Sequence, residues 1–567
     1  MRNLKIKFFI AGHSFGVETP KLLKKWNKIS LNNDSLRQIG GFPNRYHFIP
    51  TYWFLKTFYK IYGKYNDKIV WLPCEHDTKL NTEYVLDLIN REKPDVLCFG
   101  FYTWSESTYV RLITEIKKIY SDIVIIGGGP GIREEEPLNV VDFAIYGDGE
   151  EAFTILLDNL IENKSDFTEV PNLIYKEKNQ VITNPFKIFK YEKFDLPSPY
   201  LDNKEEIKLS VEKIKNKYNS NLSPSIGWEI TRGCPYACGF CDWSSGLHHK
   251  ITSRKNNNWK IELDFFVSEL KCPILIHEAN FGIMKYDSEI INYLLEKYPD
   301  ELDFPMLCIN WDKLHKDRVY KLIDKILIYY PNYPIKISLQ DINEDILETI
   351  NRPEIPWEEH KQHILNLRSN HPNCFIILEL IMGLPKQTIN SWLEMLFELD
   401  STIKPSWFIL SWWQLLTNSP AYDKEYQDKH NLTTQNVKDL KEIDLVLNNS
   451  TILDNYIDKH QIWDEYTMVH ENHPDELWNM LYKMATISVY NGILINNPDI
   501  TTNCYKETYL KCKNSLTKFI NGQYKLMMST KREDITYIYI NYENSLSNFR
   551  TFFHRPDIIT KLMENTI

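Results

Sequence analysis

Gly-Trp-Glu-Ile-Thr-Arg-Gly-Cys-Pro-Tyr-Ala-Cys-Gly-Phe-Cys-Asp-Trp, Gly227 to Trp243, is the stretch on which the reading of this chain turns. Cys234, Cys238 and Cys241 stand there at spacing C-x3-C-x2-C, on a loop that directly follows a short predicted strand, Trp228 to Thr231. Three thiolates on one flexible loop can ligate three irons of a four-iron cluster and leave the fourth iron open. Soft sulfur ligands select such clusters or zinc. A closed zinc site wants four ligands, commonly two C-x2-C pairs or a Cys/His set, and His248 and His249 nearby keep that alternative open.

The stretch resembles the signature of radical S-adenosylmethionine (SAM) enzymes, C-x3-C-aromatic-C, with Phe240 as the aromatic. Thr231-Arg232-Gly233-Cys234-Pro235 and Asp242-Trp243 on either side match the cobalamin-dependent branch of that family. The resemblance implies a [4Fe-4S] cluster on Cys234, Cys238 and Cys241, whose open iron is chelated by the amino and carboxylate groups of SAM.

Composition sets the outer limits. A chain of 567 residues suggests three or four domains, and 43% hydrophobic with 25% charged residues is ordinary for a soluble globular protein. A formal net charge of -10 argues against a nucleic-acid partner, which normally needs a basic face. No apolar run reaches membrane-spanning length, so no membrane partner is expected. The apolar patch Phe8 to Ala11 is too short for the core of a signal peptide and reads as a first strand, so a cytoplasmic location is expected. Seven of the ten cysteines are scattered and form no secreted disulfide framework.

Residues 1–165 alternate strand and helix patterns. Apolar runs at Ile6 to Ala11, Ile69 to Leu72, Val96 to Phe101, Ile123 to Ile126 and Phe143 to Tyr146 are separated by amphipathic stretches such as Thr82 to Asn90 and Ser107 to Tyr120. The alternation predicts an α/β, doubly wound, Rossmann-like domain whose ligands bind beyond the carboxyl ends of the strands. Turns there read Gly12-His13-Ser14-Phe15-Gly16, Tyr102-Thr103-Trp104-Ser105 and Gly127-Gly128-Gly129-Pro130-Gly131. Ile123 to Gly131 together with Tyr146 to Glu151 resembles the cobalamin-binding domains that precede some radical SAM cores. That resemblance implies cobalamin contacts from Thr103, Trp104, Gly127, Gly128, Gly129, Gly147 and Glu150. Domains that supply a lower histidine ligand carry Asp-x-His-x-x-Gly; Ala11 to Gly16 keeps His13 and the final Gly but lacks the Asp that would orient the imidazole. The resemblance therefore favours cobalamin without a protein histidine on cobalt. Trp104 would then either pack near the lower corrin face or simply cap the sheet edge.

Residues 166–222 read as an irregular, polar connector with a Lys-rich, weakly helical stretch at Glu205 to Lys217. Residues 223–422 offer six strand candidates, which suit the partial (β/α)6 barrel of the radical SAM fold. By resemblance, Glu278 and Asn280 hold the SAM amino group, Gln340 and Arg352 belong to the fourth-strand segment and the basic residue after it, and backbone near Ile381 meets the adenine. Lys386-Gln387 departs from the Glu usual after Pro385. Leu415 to Tyr422 resembles the segment that closes the core. Residues 423–567 read as mostly helical and related to substrate, at Asn436 to Leu447, His473 to Asn491 and Thr508 to Phe519.

The implied activity is methylation of an unactivated carbon of a peptide or small natural-product precursor, using the cluster, SAM and methylcobalamin. The electrons would come from a donor such as flavodoxin or ferredoxin. Ring contraction or rearrangement and polar methylation use the same cofactors, and a non-catalytic cobalamin or redox sensor is the alternative from another class.

Overall fold

The strands form where apolar residues recur at period two or run unbroken, and a computed structural model of the chain shows how they are joined. It describes residues 1–15, 45–77, 80–102, 104–132, 139–217, 223–243, 250–255, 258–299, 305, 307–331, 333–372, 374–403, 405, 407–413, 415–416, 418–436 and 467–471.

The first part contributes β1 (Leu4–Phe9), β2 (His13–Phe15), β3 (Arg45–Phe48), β4 (Ile69–Trp71), β5 (Val96–Gly100), β6 (Val124–Gly128) and β7 (Phe143–Ile145). Next come β8 (Leu173–Glu177) and β9 (Gln180–Thr183). The middle of the chain holds β10 (Ser223–Trp228), β11 (Thr231–Arg232), β12 (Thr252–Ser253), β13 (Ile274–Ile276), β14 (Leu307–Cys308), β15 (Pro334–Gln340), β16 (Phe375–Met382) and β17 (Trp407–Trp412). β18 (Leu432–Asn436) and β19 (Thr467–Glu471) pair antiparallel.

Five strands of the first sheet, ordered β4-β1-β5-β6-β7, run parallel. Successive side chains of β1 point to opposite faces, so Leu4, Ile6 and Phe8 enter one apolar core and Phe9 the other. The first core is covered by the helices Thr51–Tyr62 and Glu150–Glu162, the second by Thr82–Glu92 and Glu106–Ile119. This is the expected doubly wound sheet.

The stretch expected to be an irregular connector is not irregular throughout. β8 and β9 extend the first sheet antiparallel beyond β7, past the expected boundary at residue 165. The helix Lys204–Lys217 then buries Ile207, Val211 and Ile214 under a charged outer face. The first 165 residues also cross into the second sheet, whose order is β14-β13-β10-β3-β2. β3 lies parallel to β10, with Ser225 opposite His47, so the N-terminal segment supplies two strands beside the barrel. All six barrel strands expected from the sequence are present, three in that sheet (β10, β13, β14) and three in the parallel sheet β15-β16-β17.

Beyond residue 422 the structure describes a short helix, Lys424–Lys429, and the pair β18 and β19. The expected helices at 473–491 and 508–519 lie outside the described residues, as does nearly all of 436–447. No helix of the described residues is long and apolar enough to cross a membrane.

A buried ion pair between residues eight apart is tied to β10 by a tryptophan. Arg254 donates to both carboxylate oxygens of the fully buried Glu262 at 2.7 and 2.8 Å, and the Trp228 indole donates to the same carboxylate at 2.7 Å. Removing one partner of such a pair strands a buried charge. Arg254→Met is therefore expected to cost about 3–5 kcal/mol of stability, read from the denaturant midpoint, whereas the double replacement Arg254→Met with Glu262→Leu should recover much of it.

Candidate active site

The carboxyl ends of β5, β6 and β7 open onto a cavity of about 570 Å³. Its floor is the backbone of Gly127, Gly128 and Gly129, and its far wall is barrel residues, among them Glu229, Arg232, Asp242, Trp243 and His277. Gly129 has φ +100°, and a Cβ there would lie 2.7 Å from the Phe101 carbonyl oxygen, so only glycine fits. A Cβ on Gly128 would meet nothing nearer than the Ile145 carbonyl at 3.9 Å. That missing side chain leaves open space on the floor, as a bulky, flat ligand requires.

Trp104 also lines the cavity. Its indole N–H donates to the Ala11 carbonyl at 3.1 Å and its ring stacks on Tyr102 at 4.8 Å, so it caps the sheet edge and faces the cavity at once. Thr103 lies outside the described residues. The turn after β1 does not stay at the sheet end: the backbone of His13 enters β2 and pairs with His47.

Gly147 and Glu150 also reach the cavity, but the Glu150 carboxylate is committed elsewhere. Arg232, two residues before the first cysteine of the loop, donates to Glu150 at 2.9 and 3.2 Å, to Asp148 at 2.8 Å and to Glu229 at 2.7 and 3.1 Å. It also donates to the Tyr191 hydroxyl at 2.8 Å, and its guanidinium lies 4.9 Å from that ring. Burial raises the Glu150 pKa, with Arg232 opposing and Asp148 adding to the rise. One guanidinium thus ties the end of β7 to the cysteine loop.

Cys234 and Cys238 are buried, and Cys241 is partly buried. The loop is clasped from behind: Gly239 N–H donates to Ile350 at 2.7 Å, Asn351 donates to Ala237 at 3.0 Å, and Ala421 N–H donates to Gly239 at 3.0 Å. Ile350 and Asn351 follow β15 and Ala421 belongs to the expected closing segment, so two distant segments hold one loop. Asn280 donates its amide N–H to the Cys234 sulfur at 3.0 Å. Burial pushes the Cys241 thiol up to about 12, so a metal binding there must displace a proton. Among the described residues no three His, Cys, Asp or Glu side chains converge as a single metal ion needs. A four-iron cluster takes each thiolate on a different iron and does not require that convergence. His248 and His249, the zinc alternative, lie outside the described residues.

The expected SAM contacts surround this loop. Glu278 is 2% exposed and neither carboxylate oxygen is hydrogen-bonded among the described residues; Thr231 and Tyr286 lie beside it without a well-formed bond. Burial first, and the Asp287 carboxyl next, hold its pKa well above the carboxylate range. Gln340, at φ +66°, is buried with its side-chain oxygen unpartnered. Arg352 is buried rather than a surface residue, but it is occupied: it donates to the Ser338 carbonyl and approaches Glu354 at 3.4 Å. Phe240 and Ile381 pack on one apolar cluster formed by Ile346, Leu347, Ile350, Leu384 and Trp413. Gln387, in the Lys386-Gln387 departure, is engaged within the protein. It accepts from Gly383 N–H at 2.7 Å and donates to Ile381 O at 3.2 Å and to Asp341 at 2.6 Å.

Two residues not singled out from the sequence complete the site. His277 lies in the cavity wall, where burial lowers its pKa. A Cβ on Gly227 would stand 2.5 Å from its ring, so the glycine that opens the cysteine stretch makes room for this imidazole. The other is Lys313, buried beside Tyr236.

Comparison with known proteins agrees with this geometry. Residues 68–157 match the model of the B12 binding domain. The chain is 29% identical over 310 residues to the cobalamin-dependent radical SAM methyltransferase TokK of Streptomyces tokunonensis. It is 26% identical over 310 residues to the 2-(S-pantetheinyl)-carbapenam-3-carboxylate methyltransferase of Streptantibioticus cattleyicolor. Each alignment covers 53% of this chain, and the chain spans 44% of the length of these relatives. The solved structure of the radical SAM methyltransferase TsrM from Kitasatospora setae, with cobalamin and a [4Fe-4S] cluster bound, superposes with a TM-score of 0.53 over 100% of both chains at 11% identity. The fold is that of cobalamin-dependent radical SAM enzymes, a B12-binding domain followed by a radical SAM core.

The unpartnered Glu278 generates a prediction whose sign follows from linkage. Its pKa is raised in the folded state, so the folded protein retains a proton that the unfolded chain loses, and the residue costs stability increasingly as pH rises above about 4.5. Glu278→Gln is expected to stabilise the ligand-free protein by about 2 kcal/mol at pH 8 and to leave it unchanged near pH 4, read as thermal unfolding across pH.

Proposed function

We propose that this chain is a cobalamin-dependent radical SAM methyltransferase acting on an unactivated carbon of a small natural-product precursor or peptide. The observation that carries the reading is the juxtaposition of the clasped cysteine loop with the glycine-floored cavity of a B12-binding domain, joined through Arg232. When bound, the cluster would supply the electron that cleaves SAM to a 5′-deoxyadenosyl radical, and cobalamin would supply the methyl group.

The protein's own residues hold, orient and exclude water. Cys234, Cys238 and Cys241 would hold the cluster, and Asn280 fixes the Cys234 sulfur by its N–H donation. Glu278, a buried acceptor with no donor, suits the SAM ammonium, and ammonium binding would take the place of its proton. Phe240 and Ile381 would flank the adenine from their shared apolar cluster, with Gln340 beside them. Gly127, Gly128, Gly129 and Gly147 would let the corrin approach the backbone, with the stacked Trp104 and Tyr102 rings lining the same cavity. A flavodoxin or ferredoxin would deliver the electron.

His277 favours keeping one second reading, polar methylation. A buried imidazole with a lowered pKa is neutral near pH 7 and can take a proton from a nucleophilic substrate carbon. Product counting separates the two readings: radical methylation forms 5′-deoxyadenosine along with S-adenosylhomocysteine, and polar methylation forms only the latter.

The test is cofactor content and turnover of anaerobically reconstituted protein. One four-iron cluster and one corrinoid per chain are expected, with SAM cleavage above background. Cys234→Ala is expected to abolish both the cluster signal and 5′-deoxyadenosine. Cleavage surviving in that variant would refute the cluster assignment, and a cluster without corrinoid would remove the methyl-transfer step. Gly128→Leu, which places a side chain in the open floor, is expected to weaken corrinoid retention at least tenfold while leaving iron content unchanged, read by absorbance after gel filtration.

A further inference from the structure

Lys313 is a buried cation for which neither the fold nor the site described so far gives a reason. It is 9% exposed and, among the described residues, forms no ion pair. The Glu354 carboxylate lies within its electrostatic reach but is already taken by Lys316 and Arg352, at 3.2 and 3.4 Å. The Lys313 ammonium instead stands 4.2 Å from the centroid of the Tyr236 ring, inside the cysteine loop, and 3.5 Å from Asn280 Oδ1. Taking an ammonium out of water without an anion costs several kcal/mol, so a negative partner is expected nearby.

The Asn280 amide shows where that partner is. An ammonium can only donate, so the amide oxygen must face Lys313 and the NH2 group must face Cys234 Sγ, 3.0 Å away. In that orientation the cation polarises the amide and strengthens its N–H donation to the sulfur.

Resting on the iron–sulfur reading above, we propose that Lys313 is a positioning residue that raises the reduction potential of the cluster, acting on Cys234 through Asn280. Reduction adds one electron from the donor to the cluster and breaks no bond. The added negative charge is stabilised by a nearby cation in a low-dielectric surround and by hydrogen bonding to a ligating sulfur. Tyr236 positions the ammonium by its ring, and Asp312, which accepts from the Tyr236 hydroxyl at 3.0 Å, fixes that ring.

The experiment is a redox titration of the reconstituted full chain without SAM, with dithionite as reductant and the paramagnetic signal of the reduced cluster as readout. Lys313→Gln is expected to lower the equilibrium constant for cluster reduction about tenfold, which is about 59 mV more negative for one electron. Lys313→Arg keeps the charge and should remain close to the parent. Asn280→Ala should shift in the same direction as Lys313→Gln, and the double variant should shift by less than the sum, since both changes interrupt one relay. If Lys313→Gln fails to take up iron, Asn280→Ala carries the same measurement. An unchanged midpoint in a fully iron-loaded Lys313→Gln, or equal shifts in Lys313→Gln and Lys313→Arg, would overturn the proposal while leaving the cluster assignment intact. A parent protein with no reducible cluster would overturn both.

Discussion

The relation between the two halves of the site depends on one guanidinium. Arg232 is held by Asp148, Glu150 and Glu229, and its ring partner Tyr191 donates to Glu229. Two of these carboxylates come from the loop that starts the helix Glu150–Glu162 in the first domain; the third precedes the cysteine loop. Carboxylates this deeply buried cannot remain ionised without a cation, and the Arg fork has a fixed geometry, so the cavity wall and the cysteine loop are held in one arrangement. Any chemistry between a corrin on the glycine floor and a cluster on the loop depends on that arrangement.

Around this fixed point several buried polar atoms lack a hydrogen-bond partner among the described residues, and some of them belong to the candidate SAM site. Glu278 has two bare oxygens, Gln340 one, and Arg352 an unpaired Nε. Stranded buried groups cost stability in the absence of ligand, and folds keep them where a ligand completes the set. The contrast with Gln387 is informative. It occupies a position where the sequence departs from the family pattern, yet it is fully engaged and serves to brace the end of β16.

Much of the architecture was legible in the residues. The apolar runs of the first sheet and all six barrel strands stood out because each is local and bounded by Gly, Pro or Asp. The strands that were not legible are those whose existence depends on a distant partner. β3 reads Arg-Tyr-His-Phe and becomes a strand by lying beside β10, and β8 and β9 become strands by completing the β7 edge. The reading of 166–222 as irregular missed these two strands for that reason: the apolar part of β8 is only Leu173 to Tyr175 and the edge strand β9 is mostly exposed, while the hydrogen-bonding edge that recruits them lies elsewhere in the chain.

The site divides along the same line. The sequence by itself determined the cysteine spacing, the aromatic at Phe240 and the glycine run at 127–129, because each is a constraint on consecutive backbone. It marked Arg232 only as a neighbour of the motif, Glu150 only as a corrin contact, and His277 and Lys313 not at all. Those placements were decided by tertiary structure, since which carboxylate neutralises an arginine, or which sulfur an asparagine amide and a lysine stand behind, depends on side chains tens of residues apart meeting at low dielectric. Gly227 links the two: it opens the deciding stretch, and its missing side chain is explained only by the His277 ring and the Phe48 carbonyl that folding brings against it.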